Sequence, residues 1–216
     1  MEEGSNHFNI NFFDMADKEE IIDLEDTFKA IDNYNSSIKI LDLIKDNLNY
    51  NDLIMLSKIY INKALLYESI DEIELALKDY NNAISIFNYD KIQDRINRED
   101  KINFAISYNN RGKIFYKLSK FKNSILDYSM SLTIIEELND LDQDELLILS
   151  NIYFYRGQLN KEFKRYSNSI YDYDKAYNIL FEINDSIISE KEFFLNKIHS
   201  DKETAKSLFK IQKTNI

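Results

Sequence analysis

Proline, cysteine and tryptophan are absent from the 216 residues of this chain, glycine occurs three times and histidine twice. Without proline the strongest interruption of a helix is missing, and with so little glycine the tight turns of an all-β protein lack their usual residues. Without cysteine there is no disulfide framework and no thiol nucleophile, and the redox compartment is left unconstrained. A cationic excess is lacking as well: 27 Lys and Arg face 38 Asp and Glu, for a formal charge of -11. Such a chain does not attract nucleic-acid phosphate or anionic lipid unless its cations are gathered on one face. The opening stretch MEEGSNHFNINFFDMADKEE never reaches a long apolar run, so it reads as neither a secretory signal nor a membrane anchor. The expectation is a soluble, cytoplasmic protein.

What is present points to helices. Hydrophobic residues make up 44% of the chain, enough for a core, and Ile, Leu, Asn, Lys, Glu, Asp and Tyr dominate. An all-α fold follows.

Three segments align without a gap: YINKALLYESIDEIELALKDYNNAISIF (60–87), YNNRGKIFYKLSKFKNSILDYSMSLTII (108–135) and YFYRGQLNKEFKRYSNSIYDYDKAYNIL (153–180), spaced by 48 and then 45 residues. Each has a Tyr four residues before a small residue (Ala64, Gly112, Gly157) and a second small residue twelve further on (Ala76, Ser124, Ser169). A second Tyr follows four later (Tyr80, Tyr128, Tyr173), and a third small residue three after that (Ala83, Ser131, Ala176). Spacings of three and four are helical.

This order of large and small positions, read at Tyr108, Arg111, Gly112, Phe115, Ser124 and Tyr128, resembles the tetratricopeptide repeat, a helix-turn-helix unit. It departs from that pattern in having Tyr for Trp, no terminal Pro, and a spacing longer than the ordinary repeat. The resemblance implies a right-handed α-solenoid of stacked antiparallel helix hairpins. The extra residues fall before each first helix, in NDLIMLSKIY, EDKINFAISY and DELLILSNIY, where Asn or Asp is available as a cap and first helices gain about two turns. The predicted helix pairs are 51–69 with 72–88, 99–118 with 121–138, and 144–163 with 166–183.

Two glycines inside helices need a reason, since each costs roughly 1 kcal/mol relative to Ala. Where the two helices of a hairpin cross closely, a small residue on one admits a large side chain from the other, and Tyr128 and Tyr173 are the expected occupants. A helix break at each glycine is the alternative, and Ala64 in the same column speaks against it. Taking the turns at Asp71, Ser119 and Lys164, the cations Lys63, Arg111 and Arg156 stand at the same height as Asp79, Asp127 and Asp172. Salt bridges within each repeat are expected.

The predicted organisation is one structural domain. Residues 1–50 form an N-terminal segment with a degenerate repeat or capping helix, in which Ala30, Tyr34 and Ser37 line up with Ala76, Tyr80 and Ala83 and a poor first helix falls within 15–25. Residues 51–183 form three hairpins (51–88, 99–138, 144–183), and 184–216 supply a polar C-terminal capping helix.

Little suggests catalysis, and no cofactor or metal is predicted. His7 and His199 fall in the terminal segments, and His199, Asp201 and Glu203 scatter around a helix. There is no Gly-rich phosphate loop and no nucleophile elbow. The acidic pairs Asp71 with Glu72 and Asp142 with Asp144 are expected as caps in inter-helix turns.

In tetratricopeptide arrays the concave wall is lined by first helices and receives a peptide or partner helix. The matching face here holds Asn109, Lys113, Tyr116 and Lys117 with Asn110 beside them, flanked by Lys58 and Asn62 on one side and Asn151, Tyr155, Gln158 and Lys161 on the other. Four lysines and five amides with no Asp or Glu form an unusual set in so acidic a chain, although Glu68 and Glu162 stand at the rim. The set is similar to a carboxylate-clamp groove, and its amides suit peptide groups while its lysines suit a carboxylate. The leading expectation is a non-catalytic module that binds a protein or peptide partner through an acidic or C-terminal carboxylate segment, without nucleic acid or membrane. A peptide-sensing regulator or signalling receptor is the alternative, an ordinary solvated helix surface remains open for this face, and an enzyme comes third.

Overall fold

The computed structural model describes residues 24–44, 47–89, 92, 95–184 and 190–214. The first helix expected within 15–25 and His7 lie outside or at the edge of these. Among the described residues there are eight helices of fifteen residues or more and no strand. They are α1 (Leu24–Leu43), α2 (Tyr50–Ser69), α3 (Ile73–Phe87), α4 (Arg98–Lys117), α5 (Phe121–Glu136), α6 (Gln143–Glu162), α7 (Tyr166–Glu182) and α8 (Lys191–Thr214). Helices α2 and α3, α4 and α5, and α6 and α7 form hairpins, and each second helix packs against the first helix of the next hairpin. Helix α1 closes one end on α2, and α8 closes the other on α7. The architecture is an α-solenoid of helix hairpins.

Each first helix begins one residue ahead of the predicted start, because the cap lies just outside the apolar pattern. The side chains of Asn49, Asn97 and Asp142 accept from the backbone N–H groups of Asp52, Asp100 and Glu145. At Asn49 and Asp142 the third residue answers with its own carboxylate, completing a capping box.

The second helices start differently. Asp71, Ser119 and Lys164 adopt left-handed φ angles of 60°, 56° and 59°. The N–H groups of Glu72, Lys120 and Arg165 then donate back to the carbonyls of Tyr67, Phe115 and Asn160 at 2.8, 2.7 and 2.8 Å, which ends the first helix in a Schellman turn. Glu72, Lys120 and Arg165 make no side-chain capping bond. The capping expected of Asp71 and Glu72 is therefore not found; the chain reverses through backbone geometry there, and of those acids Asp142 is the cap.

At the hairpin crossings the repeated tyrosines Tyr80, Tyr128 and Tyr173 are fully buried. A Cβ added to Gly112 would stand 3.1 Å from Tyr128 Cε1, and one added to Gly157 3.0 Å from Tyr173 Cε1. The glycines thus admit the tyrosine rings as their spacing predicts. The neighbouring serines use the same closeness, since Ser124 Oγ donates to the Gly112 carbonyl at 2.7 Å and Ser169 Oγ to the Gly157 carbonyl at 2.8 Å. Nearer the open end, Ser57, Ser131 and Ser150 donate to the carbonyls of Ala83, Ala105 and Ala176. One serine faces one alanine at that level in every hairpin.

The charged pairs sit at the predicted height. Arg111 and Arg156 each hold their Asp through Nε and Nη2, at 2.7 and 2.8 Å to Asp127 and at 3.0 and 2.6 Å to Asp172. Lys63 Nζ stands 3.2 Å from Asp79 Oδ2. All three carboxylates are buried, and burial raises their pKa values against the pull of the partner cations. The C-terminal helix is more than a polar cover, because Phe194, Ile198 and Ala205 are buried.

Candidate functional site

The first helices α2, α4 and α6 adjoin one another and build one wall of the solenoid. Their hairpin partners, the preceding second helix and the neighbouring first helices surround them, so even polar side chains on the face turned away from the tyrosine columns become buried. Asn109 and Asn151 are buried. Asn109 Nδ2 donates to Asn110 Oδ1 at 3.2 Å, while neither end of the Asn151 carboxamide finds a hydrogen-bond partner among the described residues.

The other predicted wall residues divide into those that join repeats and those that face solvent. Asn110 Nδ2 donates to the Tyr80 hydroxyl at 3.2 Å, and one repeat later Tyr155 stacks on Tyr128 with centroids 5.9 Å apart and planes within 9°. These two occupy the same column and do the same work, fastening a first helix to the tyrosine of the preceding hairpin. Tyr116 packs against Phe121 and Tyr155. Lys58 Nζ lies 2.5 Å from Glu99 Oε1 on α4, and Lys161 Nζ lies 2.9 Å from Asp201 Oδ1 on α8. Lys58 and Lys161 are therefore engaged by carboxylates of the next unit. Lys113 Nζ stands 5.8 Å from the centre of the Tyr155 ring, Gln158 is half-buried, and Asn62 and Lys117 are exposed.

The wall also contains a cavity that the column alignment does not reveal. It has a volume of about 470 Å³ and is lined by Lys58, Ile61 and Asn62 of α2, by Arg98, Glu99, Ile102, Asn103 and Ile106 of α4, and by Asp142, Asp144, Glu145 and Ile148 at the start of α6. Its floor is aliphatic, with Ile61, Ile106 and Ile148 buried. Its charged groups are ordered across repeats. Arg98 Nη1 and Nη2 donate to the two oxygens of Glu145, both at 2.6 Å. Burial works against the Glu145 charge, but Arg98 and the Asp142 N–H hold its carboxyl below the usual range. A sign of this site is visible in sequence only as cation-to-acid separations of about one repeat, such as Lys58 to Glu99 and Arg98 to Glu145.

A second hollow, of about 540 Å³, lies between α5 and α7 on the side of the second helices. Its Arg156 and Asp172 are already paired with each other. No group of three or more His, Asp or Glu suited to a metal ion occurs among the described residues, and no helix among them is long and apolar enough to cross a membrane.

No protein-family profile matches the chain, and no curated protein matches it in sequence. In fold it is similar to BtubC (BKLC) from P. vanneervenii, with a TM-score of 0.61 at 20% identity over 88% of this chain and 72% of that one. It also aligns with the TPR2AB domain of yeast Sti1 in a complex with pHSP90, with a TM-score of 0.34 at 12% identity over 84% of this chain and 80% of that one. At that score the second likeness carries no argument, and the first shows the fold alone.

Proposed function

We propose that this chain is a non-catalytic interaction module of the tetratricopeptide kind, holding an extended segment of a partner protein across the wall of its first helices. The observation that carries this reading is the combination, on one wall, of an aliphatic cavity and two carboxamides, Asn62 and Asn103, that line it without hydrogen bonds to other described residues. Amides pair with the N–H and C=O groups of an extended backbone, and an apolar hollow takes a side chain from it. Fold by itself names no partner.

Lys113 and Lys117, toward the turn end of α4, supply the part of the wall suited to an acidic stretch of that segment. Lys58 and Lys161 act first as links between repeats. The test is capture from native lysate by the immobilised full chain, run beside Lys113→Glu/Lys117→Glu and, off the wall, Lys78→Glu. A partner retained by the wild type and Lys78→Glu but lost by the double variant supports the reading. Equal retention by all three removes these lysines from the site.

A further inference from the structure

Around the cavity at the capped ends of α4 and α6 four carboxylates (Glu99, Asp142, Asp144, Glu145) face two cations. Both cations are committed, Lys58 to Glu99 and Arg98 to Glu145. Asp142 Oδ1 accepts the Glu145 N–H as a helix cap, and Asp144 is exposed, with no hydrogen bond or ion pair to another described residue. What remains to meet a ligand is negative charge.

Below this rim the cavity is aliphatic. Its volume of about 470 Å³ lies within the roughly 300–1,000 Å³ of ligand pockets, which is room for a side chain together with its flanking backbone. Asn103 is only 6% exposed, lines the cavity, and makes no side-chain hydrogen bond to a described residue. Facing the cavity with no partner among the described residues, that carboxamide can donate to and accept from an incoming peptide group. Asn62, on α2 and lining the same cavity, offers a second donor and acceptor to an extended strand.

We infer that this cavity is an anchor pocket for an aliphatic side chain followed by a positively charged one, Lys or Arg, in an extended partner segment. The aliphatic group enters between Ile61, Ile106 and Ile148, Asn103 and Asn62 bond the backbone, and the cation reaches Asp144 at the rim. The formal charge of -11 adds long-range attraction for such a segment. The inference rests on the reading of the wall as the partner-binding surface, and it places basic ligand residues at the capped end of that wall.

The probes are three acetylated and amidated octapeptides of alternating Leu and Lys, Leu and Glu, and Ser and Lys, titrated into the isotope-labelled full chain while its backbone amide resonances are followed. The Leu–Lys peptide should bind about tenfold more tightly than the other two, with shifts gathered at residues 58–62, 99–106 and 142–148. The exposed substitution Asp144→Lys should weaken it about tenfold, and Lys78→Glu, away from the wall, should leave it within about twofold. Equal binding of the Leu–Glu or Ser–Lys peptide at those residues, or no response to Asp144→Lys, overturns the inference. If the Leu–Glu peptide alone binds and shifts residues 109–117, the wall reading stands and this anchor falls. If no peptide shifts any first-helix resonance, or the shifts are confined to α3, α5 and α7, both fall.

Discussion

The first hairpin and the two that follow it solve the same crossing in different ways. In α2 and α3 the small positions are Ala64 and Ala76, the cation is Lys63, and the Tyr80 hydroxyl is held from both sides, donating to Glu68 at 2.5 Å and accepting from Asn110 at 3.2 Å. In the later hairpins the small positions are Gly and Ser, the cation is an Arg gripping Asp through two nitrogens, and the serine hydroxyl bonds the glycine carbonyl. The tyrosine is fully buried in all three. A methyl group opposite the ring is thus compatible with the crossing when the ring is arranged for it, whereas the glycine crossings leave no space for one unless the ring yields. Glycine at 112 and 157 serves contact between helices, and the left-handed turn positions among the described residues are filled instead by Asp71, Ser119, Asp140 and Lys164.

Overfilling the glycine crossings should separate the two kinds of hairpin most strongly. Gly112→Leu and Gly157→Leu should each lose about 3 kcal/mol in urea unfolding, through overpacking against a buried ring. Leucine tolerated as well as alanine at either position would show that the close approach is not needed. Arg156→Ala should cost roughly as much, because Asp172 is left buried without its cation. Arg156→Lys should cost about 1 kcal/mol for the lost second bond, and similar losses for both substitutions would make the guanidinium fork essential.

Substitutions to and from a single methyl group have smaller effects. Ala64→Gly should lose roughly 1 kcal/mol by helix propensity, whereas Gly112→Ala should recover less than that, since the Tyr128 ring must give way to the new methyl. At the turns, Lys164→Gly should gain about 0.5 to 1 kcal/mol by relieving a left-handed backbone, and a loss in thermal or urea unfolding would mean the lysine side chain does something there that its geometry does not reveal.

The ion pairs within hairpins and those between them should also separate with pH. Glu145, which links the second hairpin to the third through Arg98, has a lowered pKa, so its contribution is present above its unfolded value and is lost as pH falls through the folded one. Asp79, Asp127 and Asp172 have raised values. In the window between their unfolded and folded pKa values the folded state holds the proton more tightly, so their contribution grows as pH falls through it. Glu145→Gln should therefore narrow its stability difference from the wild type on acidification, and a difference that stays constant from neutral pH to about pH 3 would contradict the assigned direction.

The hairpins were legible in sequence because column spacing reports height along a hairpin. The tyrosine, small-residue and ion-pair positions are all matters of height, and each lies where its spacing puts it. The direction in which a first-helix side chain points across repeats is a different quantity. Lys58, Asn110 and Tyr155 share the expected wall, yet they fasten one repeat to the next; Asn109 and Asn151 belong to it by helical phase, yet neighbouring helices bury them. The cavity was hidden for the same reason, since its floor is assembled from Ile61, Ile106 and Ile148 of three different first helices and its rim acids Asp142 and Asp144 read as caps. The alignment also could not distinguish the Schellman turn at Asp71 from a side-chain cap, because both put a polar residue between two helices.

The most direct test of the central claim is hydrogen–deuterium exchange on the full chain, alone and saturated with the partner recovered from lysate. A segment lying across the first helices should slow exchange in α2, α4 and α6, most strongly at residues 58–62, 99–117 and 142–158, and leave α3, α5 and α7 unchanged. Protection confined to α3, α5 and α7, around the hollow between α5 and α7, would contradict the account and move the binding surface to the second helices.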